Sequence, residues 1–305
     1  MKILVTGGAG FIGSHIVEHF QGKAEVRVLD NLRSGFKHNL AGFQHEFIEA
    51  SIIDRDAVRR AVQGVDYIFH LAAMISVPES MAQPIECDEL NTKGTLVVLE
   101  EAARAGVKKL VLSSSAAIYG DNPVVPKVET MFPEPKSPYA ITKLDGEYYC
   151  KMFADEQRIQ TACLRYFNVF GPRQDPKSQY AAAVPIFIHR ALKGDPITIY
   201  GDGEQTRDFI YVKDIAAANA YFATQSPATG VFNVAYGRKI TINDLATTIR
   251  RLTDSRSEIK HAAARAGDVK HSMAAVDKLC SAGFQPTGNL TDGLAATVKF
   301  FQGRD

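Results

Sequence analysis

The amino-acid sequence predicts an α/β protein: a doubly wound parallel sheet with a smaller mixed α/β region toward the carboxyl end. Three observations predict it. Short apolar, β-rich runs alternate with longer helical patterns through the first half of the chain. A glycine-rich turn joins the first run to the first helix, and an acidic residue ends the second run.

Taken in order, Lys2–Thr6, Val26–Leu29, Tyr67–Leu71 and Leu110–Ser113 read as buried strands. Helical patterns follow Gly10 and cover Asp54–Val62 and Pro84–Ala105. Strand, helix, strand at this spacing calls for a parallel sheet with right-handed crossovers and helices on both faces. The proline-rich stretch Tyr119–Pro138 predicts a long loop, followed by a helix over Tyr139–Gln157 and a strand over Thr161–Arg165. Beyond Gly171 the elements become shorter and mixed, with helices at Ala183–Leu192, Lys213–Ala223, Ile242–Leu252 and Leu290–Phe301. No repeat or flexible linker separates the two regions, so the second should pack directly on the first. The expected division is a dinucleotide-binding domain over 1–170, rejoined by about 209–236, and a substrate domain over 171–208 and 237–305.

The 305 residues carry a formal net charge of +1, with 46% hydrophobic and 23% charged residues. That balance gives no bulk field for nucleic acid or an anionic membrane, so anion binding must come from a local site. Cys87, Cys150, Cys163 and Cys280 lack metal-type or redox-type spacing, which predicts reduced thiols and no metal centre. No apolar run approaches the ~18 residues of a membrane span. The chain enters its first strand almost at once, and a cleaved signal would destroy the glycine turn. A cytoplasmic location is therefore expected.

Gly7, Gly10 and Gly13 lie in Thr6-Gly7-Gly8-Ala9-Gly10-Phe11-Ile12-Gly13, between the first strand and its helix. Bare backbone there can turn tightly and approach a pyrophosphate at the helix amino terminus. Asp30, twenty positions after Gly10, is placed to bond the adenosine ribose hydroxyls, which identifies a Rossmann-type NAD site. Its carboxylate would repel the extra phosphate of NADP, although Arg33 nearby could accept that phosphate.

Tyr139 and Lys143 stand four apart on a predicted helix, so both emerge from one face. A phenol with a pKa near 10 is a poor base at neutral pH. A lysine ammonium beside it, with the positive nicotinamide ring, would lower that pKa. The same lysine can bond the nicotinamide ribose. Ser113, Ser114 and Ser115 follow a predicted parallel strand and lie at the carboxyl edge of the sheet, where ligands bind in this architecture. A serine there can relay a hydrogen bond between a substrate hydroxyl and the tyrosine.

With these motifs in order, the sequence resembles the extended short-chain dehydrogenase/reductase family, and within it the UDP-glucose and UDP-N-acetylglucosamine 4-epimerases. The resemblance runs from Thr6–Gly13 to the Arg-Ala-Gly-Asp at 265–268. It implies Ser115, Tyr139 and Lys143 as catalytic residues. It implies a phenolate that takes the sugar 4-hydroxyl proton while hydride passes from C4 to tightly bound NAD. The 4-keto sugar then turns and is reduced on its other face.

The resemblance also implies contacts for the cofactor: Phe11 and Ile12 at the turn, Asn31, Ser34 and Gly35 after the second strand, and Ser51 and Ile52 after the third. Leu71, Ala72 and Ala73 would pack on the cofactor, Ser113 and Phe167 would flank the nicotinamide, and Asn91 would fix the backbone below it. For the UDP-sugar it implies a loop at Ser76 and Val77, Asn168 and Arg207 on the phosphates, Val184 and Tyr200 on the uridine, and Arg265 with Asp268 on diphosphate and ribose. Two arginine forks suit a diphosphate. A homodimer is implied as well, built on the helices at Pro84–Ala105 and Tyr139–Gln157.

Ser51 stands where family members usually carry a carboxylate, so weaker NAD binding is expected. Ala116 and Ala117 follow the catalytic serine where related dehydratases and decarboxylases carry acids; an alanine exchanges no proton, which favours epimerisation. Ser272, where hexose-restricted epimerases carry a bulky tyrosine, leaves room for an N-acetyl group. The alternatives are another nucleotide-sugar enzyme, a UDP-glucuronate decarboxylase or 4-epimerase, and more remotely a non-catalytic dinucleotide sensor.

Overall fold

The computed structural model describes residues 1–176, 182–264 and 270–303. Arg265 and Asp268 lie outside the described residues. The first six strands are β1 (Lys2–Thr6), β2 (Glu25–Asp30), β3 (Glu46–Glu49), β4 (Tyr67–His70), β5 (Lys109–Ser115) and β6 (Gln160–Tyr166). Shorter strands follow: β7 (Asn168–Phe170), β8 (Ile197–Tyr200), β9 (Thr206–Arg207), β10 (Phe209–Tyr211), β11 (Gly230–Val234), β12 (Ile240–Thr241) and β13 (Ile259–Ala262).

The central sheet has the order β11-β6-β5-β4-β1-β2-β3, with every pairing parallel. Its order reverses between β1 and β4, so a crevice opens at their carboxyl ends, the usual ligand position in a doubly wound sheet. β11 returns the chain to this sheet beside β6. The small parallel pair β7–β10 and the pairs β9–β12 and β8–β13 lie outside it.

Both faces of the sheet are covered. Val5, Val28 and Phe69 pack with Ile16 of helix α1 (Phe11–His19), while Leu4, Ile68 and Leu110 pack with Val58 of α2 (Arg55–Ala61) on the opposite face. Strand side chains alternate between faces, so the inner strands β1, β4 and β5 carry buried apolar residues on both sides and read as continuous apolar runs. A separate core gathers Val184 and Phe187 with Leu245 and Leu294.

Two segments depart from expectation. Ser76–Val77, expected as a loop, opens helix α3 (Val77–Ala82): the Ser76 hydroxyl accepts the Glu79 N–H at 3.2 Å and satisfies an otherwise orphaned first-turn donor. The helix expected over Pro84–Ala105 is interrupted. It runs as α4 (Pro84–Asp88), a widened π turn (Glu89–Lys93) and α5 (Gly94–Arg104). The π turn holds Asn91, whose side chain binds the main chain of Met74 at 2.7 and 3.0 Å and the Thr142 hydroxyl at 3.0 Å. A wider turn inside a helix commonly marks a functional site.

Helix α6 (Pro138–Asp155) carries Tyr139 and Lys143. Ser137 caps it through the Ala140 N–H at 3.2 Å, and Pro138 fills a first-turn position that needs no donor. One turn beyond Lys143, the buried Glu147 carboxylate receives the Arg165 fork of β6 at 2.8 and 2.7 Å and the Ser114 hydroxyl of β5 at 2.5 Å. This ion pair fixes α6 against the two strands beneath it. Glu147→Ala would leave the Arg165 guanidinium, 4% exposed, without its buried partner. The expected cost is about 3–5 kcal/mol, read as a lowered urea midpoint with an unchanged slope.

Candidate active site

A cavity of about 580 Å³ opens at the reversal point of the sheet. Its floor is the β1–α1 turn. Gly7 has φ +72°, and a Cβ there would meet the Ala72 nitrogen at 2.7 Å; a Cβ on Gly13 would meet the Gly7 carbonyl at 2.2 Å. The protein's own packing therefore demands bare backbone at both positions. Gly10 differs, because a Cβ there would meet only the Gly7 carbonyl, at 3.2 Å. Its bareness leaves room on the cavity side, at the amino terminus of α1, and fits a pyrophosphate laid against the backbone.

Asp30 ends β2, its carboxylate accepting the Ala9 N–H at 2.9 Å and the Leu32 N–H at 2.8 Å. Burial nevertheless pushes its pKa up. Ribose hydroxyls donating to the same oxygens would favour the charged form. Asn31 orders the following loop by accepting the Arg33 N–H at 3.1 Å. Ser34, Gly35, Ser51 and Ile52 line this end of the cavity. These residues and the bare Gly10 backbone fit an adenine dinucleotide.

At the other end, Leu71, Ala72 and Ala73 face Ser113, Ser115, Tyr139, Lys143 and Phe167 across the same cavity. Lys143 Nζ donates to the Ser113 carbonyl at 2.9 Å and lies 5.8 Å from the centre of the Tyr139 ring. Burial lowers the ammonium to about 8. The Ser115 oxygen accepts the Ala117 N–H at 3.1 Å, which leaves its hydrogen to donate. The phenol of Tyr139 is pushed up by burial, against a smaller downward pull from its hydrogen bond with Ser115. The expected lowering by Lys143 is thus not supplied by the chain's own groups, because desolvation dominates at this depth.

A buried hydrogen-bond chain supports both ends. The Thr6 hydroxyl accepts from the Leu71 and Ala72 N–H groups, at 3.2 and 3.3 Å, and must donate its own hydrogen to His70 Nδ1 at 2.7 Å. His70 Nε2 is then the protonated nitrogen and donates to the Thr95 hydroxyl at 3.0 Å, which donates to the Asn91 carbonyl at 2.6 Å. Burial, with the Lys143 charge nearby, holds His70 down at about 3, so it stays neutral. Asn91 does not line the cavity; it braces the backbone of Met74 and the hydroxyl of Thr142 beside it.

Most of the residues expected on the UDP-sugar lie outside the cavity lining. Val184 is fully buried in the second core, where its side chain packs among apolar neighbours. Ser76 is spent as the α3 cap and Val77 is exposed beside it. Asn168 donates to the Asp208 carbonyl at 3.1 Å. Arg207 and Ser272 come together, since the Ser272 N–H binds the Thr206 carbonyl at 3.1 Å. Tyr200 ends β8 and is 40% exposed.

Sequence reasoning missed several lining residues: Phe36, Asn39, Ile75, Tyr166 and Arg173. Asn39 could have been suspected, being a buried amide that donates to the Ala9 carbonyl at 2.9 Å and pins the loop after β2 onto the glycine turn. Arg173 had no local signal. It reaches the cavity through an ion pair with Glu18 and a bond to His15, both on α1.

A parallel sheet with a bare glycine turn, a carboxylate at the end of its second strand and a converging serine, tyrosine and lysine defines a dinucleotide-dependent enzyme of the short-chain dehydrogenase/reductase type. The NAD dependent epimerase/dehydratase family matches residues 3–235, and the chain belongs to it. Among solved structures, a UDP-N-acetylglucosamine 4-epimerase from Methanobrevibacter ruminantium, in complex with UDP-N-acetylmuramic acid, is 42% identical with a TM-score of 0.96, covering 100% of this chain and 99% of that one. A UDP-glucose 4-epimerase from Thermotoga maritima, with UDP-glucose, is 41% identical with a TM-score of 0.95 over the same shares. A curated UDP-glucose 4-epimerase from Mycolicibacterium smegmatis is 36% identical over 100% of this chain and 99% of its own. Sugar-nucleotide decarboxylases match at 32–33% identity.

The two glycines separate folding from binding. Gly13→Ala should disrupt the β1–α1 turn and lower the melting temperature, because its Cβ meets backbone at 2.2 Å. Gly10→Ala should melt within a few degrees of wild type yet bind NADH about tenfold or more weakly, as followed by nicotinamide fluorescence.

Proposed function

We propose that this NAD-dependent enzyme is a UDP-hexose 4-epimerase that interconverts UDP-glucose and UDP-galactose, and that it also accepts UDP-N-acetylglucosamine and UDP-N-acetylgalactosamine. One observation carries the reading: Ser115, Tyr139 and Lys143 meet in the cavity that Gly10 and Asp30 open. NAD held by Gly10, Asp30 and Lys143 would supply a reversible hydride acceptor for the sugar C4, so that no net redox change results. Tyr139 holds the proton exchanged with the sugar 4-hydroxyl at its phenol oxygen, and Ser115 donates to that oxygen to steady the phenolate. Lys143 supplies the nearby cation and, from its position by Ser113, can also hold the nicotinamide ribose. Leu71–Ala73 and Phe167 close the reacting end with apolar surface that keeps water from the sugar.

Decarboxylation and dehydration are the competing chemistries on this fold. Ala116 and Ala117 stand directly after Ser115, and neither can donate a proton to a leaving group. Arg207 on β9 and Ser272, bonded to its neighbour Thr206, support a diphosphate and sugar subsite there. A serine at 272 takes little of the space that an N-acetyl group requires.

Incubation with UDP-galactose or UDP-N-acetylgalactosamine, with products resolved by proton NMR, tests the reaction and the sugar range together. Both C4 epimers should form without consumption of added cofactor, and Tyr139→Phe should lower the rate by at least about a hundredfold. Evolution of carbon dioxide from UDP-glucuronate, with no epimer from either neutral sugar, would replace this reading with the decarboxylase. Ser272→Tyr should abolish turnover of the N-acetylated sugar only; equal loss of both sugars would refute the gate.

We also propose a homodimer in the cytoplasm. Among the described residues no helix is long and apolar enough to cross a membrane. Ile141, Tyr148 and Met152 form an exposed stripe on α6, 48%, 58% and 41% exposed, and Met81 and Ile85, 60% and 78% exposed, stand on α3 and α4, which pack against it. A twofold mate would cover this face. Ile85→Asp with Met152→Glu should halve the mass measured by light scattering, whereas an unchanged dimer mass would place the interface elsewhere.

A further inference from the structure

We propose that Glu79 and Glu86 set the dinucleotide preference of this cavity by holding the Arg33 guanidinium in place of a ribose 2′-phosphate. Arg33 follows β2 and lines the cavity together with Asp30, Ser34 and Ser51. An arginine near the acidic residue at this point in the fold ordinarily welcomes the 2′-phosphate of NADP, because its planar fork matches phosphate oxygens. In this chain both ends of the fork are already taken. One terminal nitrogen donates to Glu86 at 2.5 Å and the other to Glu79 at 2.9 Å.

The two carboxylates are mounted on ordered helices. Glu79 lies in the first turn of α3, whose cap is Ser76 and whose buried Ser80 accepts the Tyr139 N–H at 3.2 Å. Glu86 lies on α4, which packs against α6. Exposed ion pairs contribute little to stability. Their effect here is on a competing anion. Two carboxylates already hold one guanidinium, and a phosphate of charge about −1.5 to −2 would have to displace both. Lys37, further along the same loop, is likewise paired, with Glu49 at 2.7 Å. Asp30 accounts for a penalty against NADP; the glutamates account for why Arg33 does not cancel it.

The inference concerns the adenosine end alone and holds whichever sugar is turned over. Protein freed of bound dinucleotide is titrated with NADH and with NADPH, and the ratio of the two dissociation constants is read from nicotinamide fluorescence. In Glu79→Gln/Glu86→Gln the ratio should move toward NADPH by about tenfold. It should return to the wild-type value when Arg33→Ala is added to the same background. An unmoved ratio in the double variant, or a shift that persists without Arg33, overturns the proposal. If the double variant loses NADH binding, each single variant should still shift the ratio about threefold, and two unmoved ratios overturn it equally. Failure of the wild type to bind NADH would overturn the proposal together with the assignment of the cavity.

Discussion

Everything at the reacting end depends on how α6 is seated. Tyr139 and Lys143 acquire chemistry only if the first turns of that helix lie over the carboxyl end of β5, where Ser115 stands. The seating is fixed by a buried charge pair, Glu147 with Arg165, which also takes the Ser114 hydroxyl. Apolar packing alone would tolerate small slides of a helix along a sheet. A carboxylate that must satisfy a two-pronged guanidinium and a hydroxyl at once tolerates far less, since any slide leaves a buried charge unsatisfied. A single turn of helix separates this anchor from Lys143, so the register it imposes is passed directly to the Tyr139–Lys143 pair.

The same economy appears on the other side of the cavity. Thr6, His70, Thr95 and Asn91 form one directed chain from the glycine turn to the π turn. Every donor in it has an acceptor, which settles the imidazole tautomer. The chain ties β1, under the glycine turn, to the segment that braces Thr142 on α6. Glycine turn and α6 are thereby held to one another through buried polar groups. A neutral imidazole suits the place, because a second cation beside Lys143 in so dry a setting would be costly.

The electrostatics divide the labour between protein and cofactor. Burial raises Tyr139 and lowers Lys143 to about 8, so desolvation works against the charged form of each, while at pH 7 the lysine still carries its proton. The positively charged nicotinamide end of NAD, if bound there, would add its field to that of Lys143 and support a phenolate at Tyr139. Chemistry is thus tied to the presence of the cofactor, which suits an enzyme that keeps the same dinucleotide through each turnover.

The sequence by itself determined the parallel sheet, the glycine turn, Asp30 and the Tyr139–Lys143 pair, because each rests on local spacing: period-two or apolar strands, bare backbone beside a helix start, and two side chains four apart. The α3 helix was also legible, since Ser76 and Glu79 carry a helix-start signature, yet Ser76–Val77 resembled a loop. Only the tertiary structure decided the rest. The π turn at Glu89–Lys93 follows from what Asn91 reaches across the fold, and no helical periodicity announces it. Val184 fell inside a core assembled from helices far apart in the chain. Arg33, ambiguous in sequence, was decided by Glu79 and Glu86, 46 and 53 residues away. Local spacing fixes which groups a segment can present; their partners, and hence their charge and availability, are set by long-range contacts that exist only once the chain has folded.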